Sequence, residues 1–346
     1  MSYETPAEDC LYDLAVVGGG ITGAAVARDA ALRGLKVILF EKNDFGSGAS
    51  CKTSKLAHGG LRYLEHGEIG LVRESLRERN LLLSLCPDFV RPLPFVYPVY
   101  TSSRRPLWQI NLGIRMYRWL AKESGGSEAH LLSPAEASIR FPHLTSSGLL
   151  GAPLYQDAQM QDGRLVIENI LSAEHNGARV CNYTEVLSLK SSKRNRHRID
   201  ARSSVGDQCI DARCVVNATG AWSNLTLRRL GVEGVFTAPT KGVHIVLPDI
   251  GLDAALILQA PQDGRVFFVI PWENRTLAGT TDTFHAGAPE ALAATEEEMT
   301  YLINAVNGCL PGLQYDLSDI ITTFAGLRPL LAAKPGQAAS RVSRQH

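Results

Sequence analysis

The sequence of 346 residues has no excess of charge: thirty-five Lys and Arg balance thirty-five Asp and Glu. No global field therefore recruits nucleic acid, and any anion must be met by local groups. There is no C-x-x-C pair, and the seven cysteines (Cys10, Cys51, Cys86, Cys181, Cys209, Cys214, Cys309) are an odd number. Both facts argue against a disulfide framework and a zinc site, and reduced thiols in a cytoplasmic protein are expected; no metal site is expected. No run of about eighteen uncharged apolar residues occurs, and the stretch opening at Leu14 breaks at Arg28, so a spanning helix is not expected while surface attachment stays open. The acidic amino terminus is not followed by a secretory-type apolar run, and neither repeat nor low-complexity tract is visible. What is present is 45% apolar residues, 20% charged residues and 31 glycines, the composition of a glycine-rich globular α/β protein of about two domains.

Leu14-Ala-Val-Val17 is a short apolar run of the kind a buried parallel strand requires, and it delivers the chain into Gly18-Gly19-Gly20-Ile21-Thr22-Gly23. Gly18, Gly20 and Gly23 fill the three slots of G-x-G-x-x-G: a tight turn, close approach of backbone to a pyrophosphate, and close helix-to-strand packing. The phosphate would rest on amide N–H groups at the positive end of the helix Ala24 to Arg33. Lys36-Val-Ile-Leu-Phe40 reads as the second strand and ends on Glu41, placed to bind ribose hydroxyls. That acid disfavours a 2′-phosphate and suits NAD and FAD equally.

The next segment narrows the choice. Ser54-Lys-Leu-Ala-His-Gly-Gly-Leu-Arg-Tyr-Leu-Glu65 resembles the stretch beside the flavin in FAD-dependent, quinone-linked glycerol-3-phosphate dehydrogenases, with Thr53 and Cys51 standing where that family has serine. Further blocks resembling the family follow in order. They include Val90-Arg-Pro-Leu-Pro-Phe-Val96, Tyr155-Gln-Asp-Ala-Gln, Asp162-Gly-Arg-Leu-Val166, Val216-Asn-Ala-Thr-Gly-Ala-Trp222, Lys241-Gly-Val-His244, Ile270-Pro-Trp272, Gly279-Thr-Thr-Asp282 and Gly326-Leu-Arg-Pro-Leu330. The resemblance implies an FAD-binding Rossmann-type α/β domain of the glutathione-reductase and D-amino-acid-oxidase kind, with a mixed β-sheet substrate-binding cap. It also implies oxidation of sn-glycerol 3-phosphate to dihydroxyacetone phosphate, with hydride passing to flavin N5 and electrons to a membrane quinone. The expected ranges are 10–93, 155–234 and 318–346 for a discontinuous FAD domain, and 94–154 and 235–317 for the cap.

Such chemistry needs a hydride acceptor, a base for the hydroxyl proton and cations for a dianion. Guanidinium groups hold phosphate best because they stay ionised and donate paired hydrogen bonds. Arg62, Arg328 and Arg344 are the candidates, each with an ordinary ion pair or a frayed end as the plain alternative. Histidine is the natural base near neutral pH. His58 and His244 stand apart from the other histidines because both lie in blocks resembling the family: His244 is expected as base or hydroxyl partner, and His58 between flavin and substrate, with the reverse division left open. Tyr63 adds a hydroxyl contact or simply packs. By the resemblance, Ser54, Lys55 and Leu56 are flavin-side contacts, Lys55 polarising the flavin or being merely solvated. Ala218, Thr219 and Gly220 form a second dinucleotide block.

Arg104 to Lys122 holds five basic residues (Arg104, Arg105, Arg115, Arg118, Lys122), no acid, and Trp108, Leu112, Met116 and Trp119 at near-helical spacing. It reads either as a helix lying on an anionic bilayer, suited to a quinone-linked enzyme peripheral to the cytoplasmic membrane, or as a cap helix packing its tryptophans on the substrate sheet. The family pattern continues past Arg344 with a Gly-Gly-Lys-Leu-Thr-Thr-Tyr-Arg-like block and a helical carboxy-terminal domain. A chain ending at His346 is expected to lack both, with weaker cofactor retention and slower hydride transfer. Two rival expectations remain: an oxidase of the amino-acid-oxidase type, and a non-catalytic FAD-binding fragment. A homodimer is left open.

Overall fold

The computed structural model describes residues 11–121, 130–192, 196–229, 231, 237–285 and 287–330; the side chains of Arg62, Glu65, His66, Ser191 and Ser192 also lie outside the description. Two sheets organise the described residues, one of six strands and one of eleven.

The smaller sheet begins with Leu11–Val17, which pairs in parallel with Val37–Phe40 on one side and with the long strand Gly206–Asn217 on the other. Val37, Ile38, Leu39 and Phe40 are all buried, as a parallel strand covered on both faces requires. The helix Ile21–Leu32 crosses between the first two strands, slightly earlier in the chain than the sequence suggests. Its Ala24, Ala27, Ala30 and Ala31 are buried, and they pack with Val166, Ile170 and Ala173 of the helix Asp162–His175. Alanines at helical spacing let backbones approach, so this layer is thin and close-packed. Thr184–Ser192 and Arg196–Ser203 extend the sheet as an antiparallel hairpin.

The larger sheet is mixed. Arg275–Gly279 pairs antiparallel with both Thr240–Pro248 and Val266–Trp272, and Val90–Val96 pairs with Leu149–Met160. Sheet membership cuts across the ranges expected from sequence. Leu56–Ala57 pairs with Leu149–Met160, and Thr322–Arg328 with Thr240–Pro248, so segments ascribed to the FAD domain supply strands to the larger sheet. The expected ranges stand as a proposal about the cooperative units of the chain.

The segment rich in arginine and tryptophan forms the helix Leu107–Leu120. Its inner face is Ile114 and Tyr117, each 1% exposed. Trp108 and Trp119 are 69% and 64% exposed, and Leu112 and Met116 face outward with them. The reading in which these tryptophans pack on the substrate sheet is therefore corrected. Ile114, Tyr117 and the partly buried Ile110 and Leu120 take that role, because they occupy the other face of the same helical repeat.

Candidate active site

The carboxyl ends of the three parallel strands deliver Gly18, Glu41 and Ala218 to one edge of the smaller sheet, where α/β sheets bind ligands. Gly18 has φ +109°, open to glycine and strained for other residues, and a Cβ on it would lie 2.4 Å from the Ala218 carbonyl oxygen. A Cβ on Gly23 would lie 1.8 Å from the Gly18 carbonyl oxygen, so the turn and the helix close on each other only without side chains. Gly20 is the N-cap of the helix Ile21–Leu32 and offers no side-chain cap. Its first-turn Ile21 amide donates to Ser50 Oγ at 2.9 Å. The Glu41 carboxylate accepts from the Gly19 amide at 2.7 Å and from the Asn43 amide at 2.9 Å, one to each oxygen, with further lone pairs for ribose hydroxyls. Gly19, which the glycine pattern leaves unassigned, is as constrained as its neighbours: a Cβ there would meet Glu41 and Phe45 at 2.7 Å. Thr219 bonds through its hydroxyl to Asn217, and Gly220 turns the chain at φ +54°.

A second group forms around His244. Ser54 Oγ and His244 Nε2 are 2.8 Å apart, Phe324 stacks on the imidazole at 4.9 Å between centroids, and His244 is 2% exposed. Its Nδ1 is buried with no hydrogen-bond partner. Burial, reinforced by the charges of Arg328 and Lys55, pushes the His244 pKa down to about 3, so the ring is neutral at physiological pH. Gly279 lies beside the ring, where a Cβ would come within 2.4 Å of His244 Cδ2.

Lys55 is not solvated, which corrects the plain alternative. It is buried, with φ +59°, and its Nζ donates to both Asp162 carboxylate oxygens at 2.9 and 3.0 Å and to the Cys51 carbonyl at 2.8 Å. The ammonium also lies 5.2 Å from the Phe324 ring centroid, against the face of the group that holds His244. Leu56 is buried in the core of the larger sheet. Arg328 Nη1 contacts Asp282 at 3.2 Å and Nη2 donates to Thr280 Oγ1 at 3.0 Å, with the guanidinium against Gly242. Asp162, Asp282 and Thr280 belong to recognisable sequence blocks, but no local pattern ties them to Lys55 or Arg328.

The third group is the His58 turn. His58 is exposed, and its Nδ1 accepts from the Gly60 amide at 3.0 Å. Gly60 has φ +73° and packs against the Tyr63 ring, which joins the apolar cluster inside the cap. The side chain of Arg62 and the whole of Arg344 fall outside the described residues.

One short segment joins the first two groups. Ser50 touches the start of the helix Ile21–Leu32, Ser54 touches His244, and the backbone of Lys52 backs Gly326 on the Arg328 strand. A glycine turn fitted to a pyrophosphate is thus joined through residues 50–54 to a buried group of His244, Lys55 and Arg328, an arrangement that suits a flavin-dependent oxidoreductase. The chain belongs to that class: residues 13–343 match the family model for FAD dependent oxidoreductases, and FAD is its cofactor. Within the class it is similar to a glycerol-3-phosphate dehydrogenase of Synechocystis sp., 39% identical over 98% of this chain. It is also similar to an alpha-glycerophosphate oxidase of Enterococcus casseliflavus, 35% identical over 94% of this chain. The chain spans 64% of the first relative's length and 55% of the second's. The glycerol-3-phosphate dehydrogenase of Bacillus halodurans complexed with FAD superposes with a TM-score of 0.78 at 28% identity, covering 94% of this chain and 58% of that one.

The residues present fit the cofactor. Gly18, Gly20 and Gly23 leave the cradle that a pyrophosphate needs, Glu41 has lone pairs to offer a ribose, and Gly18 abuts Ala218 of the second dinucleotide block.

Proposed function

We propose that this chain oxidises sn-glycerol 3-phosphate to dihydroxyacetone phosphate and passes the electrons to a membrane quinone. The observation that carries the reading is the segment 50–54, which joins the dinucleotide turn to a buried neutral histidine flanked by Arg328 and Lys55. FAD, when bound, supplies the two-electron acceptor.

The chain's own residues do the rest. His244, kept neutral, has an imidazole nitrogen able to accept the proton of the substrate hydroxyl, and the Ser54 hydroxyl fixes its ring. Burial is the main cause of the low pKa, with Arg328 and Lys55 adding to it, and a dianionic phosphate held by Arg328 would offset the part that Arg328 contributes. Arg328, Arg62, Arg344 and Tyr63 are assigned to the phosphate and hydroxyls of the substrate. His58 is assigned to the flavin side: with Nδ1 accepting from Gly60, its neutral ring carries the proton on Nε2 and acts as a donor.

The helix Leu107–Leu120 supports the quinone reading. It exposes Trp108, Leu112, Met116 and Trp119 beside Arg115 and Arg118, with Arg104 just before it, the profile of an element that lies in an anionic membrane interface. Among the described residues no helix is long and apolar enough to cross a membrane.

The test is an anaerobic spectrum of the FAD-loaded chain before and after glycerol 3-phosphate. Bleaching of the yellow form supports the assignment, and a colour that persists refutes it. The similarity to an alpha-glycerophosphate oxidase carries a second reading in which oxygen is the acceptor. Peroxide formed in air, in step with substrate consumed, would decide for it over the quinone.

A further inference from the structure

A buried polar cluster lies directly beneath the His58 turn. Asp157, on the strand Leu149–Met160, is 1% exposed, and Arg79 and Tyr117 beside it are 5% and 1% exposed. Asp157 Oδ1 accepts from Arg79 Nη1 at 2.8 Å and from the Gly59 amide at 3.2 Å, while Oδ2 accepts from the Tyr117 hydroxyl at 2.8 Å. Arg79 also donates to the Gln156 carbonyl, so the guanidinium is held from two sides. A buried ion pair of this kind contributes little net stability against well-packed apolar side chains, and it needs another reason to be built.

The reason is geometric. Gly59 sits between His58 and Gly60, the residue whose amide in turn donates to His58 Nδ1. Gly59 has no room for a side chain, since a Cβ would lie 2.3 Å from Leu76 Cδ2 and 2.4 Å from the Tyr117 oxygen. Its backbone is packed against Leu76 and Tyr117, and its amide donates to Asp157. Gly59 and Gly60 are buried while His58 is exposed, and two adjacent glycines give the backbone little conformational restraint of their own.

We propose that Asp157, braced by Arg79 and Tyr117, is a positioning residue for His58, holding the Gly59 amide so that the imidazole is presented in one place. The inference rests on the assignment of His58 to the flavin side of the site. Burial raises the Asp157 carboxyl above the ordinary range, opposed by Arg79 and the Tyr117 hydroxyl that hold it. Tyr117 lies on the inner face of the helix whose outer face carries Trp108 and Trp119, so the same contact ties that helix to the turn.

The test uses the FAD-loaded chain with Asp157→Asn, Tyr117→Phe, His58→Asn and the double variants of His58→Asn with each. Hydrogen exchange reads the turn directly, whatever the turnover. Asp157→Asn is expected to speed exchange at Gly59 about tenfold while the paired strand amides of Leu149–Met160 stay protected. Anaerobic flavin reduction by glycerol 3-phosphate reads the consequence. Asp157→Asn is expected to slow it about tenfold at saturating substrate, with KM changed less than about threefold, and to have almost no further effect in the chain already carrying His58→Asn. Tyr117→Phe removes one hydrogen bond without the charge, and the same pattern is expected at about threefold; it serves if Asp157→Asn does not fold.

Unchanged Gly59 exchange overturns the inference. So does an equal slowing with and without the His58→Asn substitution, which marks a purely structural role. A His58→Asn chain that reduces at the wild-type rate refutes the assignment of His58 itself. No reduction by the unaltered chain refutes the proposed function, and the exchange result then still decides whether Asp157 holds the turn.

Discussion

The acid limb of the stability profile should carry the signature of His244. Its pKa is about 3 in the folded chain against an ordinary 6.5, because burial, Arg328 and Lys55 all disfavour the imidazolium. The unfolded chain binds a proton on this ring below pH 6.5 and the folded chain does not, so stability is fully present above that value and lost as pH falls toward 3. The slope is about 1.4 kcal/mol per pH unit, or roughly 2.7 kcal/mol between pH 8 and pH 4.5. The ring is 2% exposed, so solvent screening takes little from that figure. Other groups titrate in the same range, and the comparison with His244→Asn isolates this one. The variant loses the Ser54 hydrogen bond and the Phe324 stacking at every pH, which shifts its curve by a constant. Urea unfolding of the flavin-free chain and the variant, in half-unit steps from pH 8 to pH 4.5, should show the stability gap between them shrinking by roughly 2.7 kcal/mol. A gap that stays constant across that range would mean His244 titrates near its ordinary value, and the reasoning about its neutral state would fall.

Three further outcomes are expected. Gly23→Ala forces a methyl onto the Gly18 carbonyl, and should destabilise the chain by about 2 kcal/mol and abolish FAD retention, read by melting temperature and flavin fluorescence. Asp162→Asn leaves the Lys55 ammonium buried beside Phe324 without its counter-ion, and a loss of roughly 3 kcal/mol in urea unfolding is expected; Lys55→Met in the same chain should recover much of it, and no recovery would count against the ion-pair account. Arg328→Ala should raise KM for glycerol 3-phosphate by about a hundredfold and leave that for unphosphorylated glycerol within about threefold, and equal effects would remove Arg328 from the phosphate site.

What can be read from the chain alone is what is local. The nucleotide turn is legible because strand, glycines, helix and acid follow one another within about thirty residues, and Gly23 answers a steric demand made by Gly18 in the same turn, although what closes on Gly18 itself is the distant Ala218. The helix Leu107–Leu120 is legible for the same reason, its two faces being written in one helical repeat. Which face turns inward is not local: the sequence leaves the tryptophans free to pack, and only the fit of Ile114 and Tyr117 against the cap cluster sends them outward.

The site's pairings belong to tertiary structure altogether. Ser54 meets His244 across 190 positions, Lys55 meets Asp162 across 107, and Arg79 meets Asp157 across 78. Residue type at position 244 says only that a ring can titrate. Its neutrality comes from burial and from two cations, Arg328 and Lys55, that other segments of the chain bring to it. Electrostatics and desolvation act through space, so chemistry that depends on them is decided only when the sheets close.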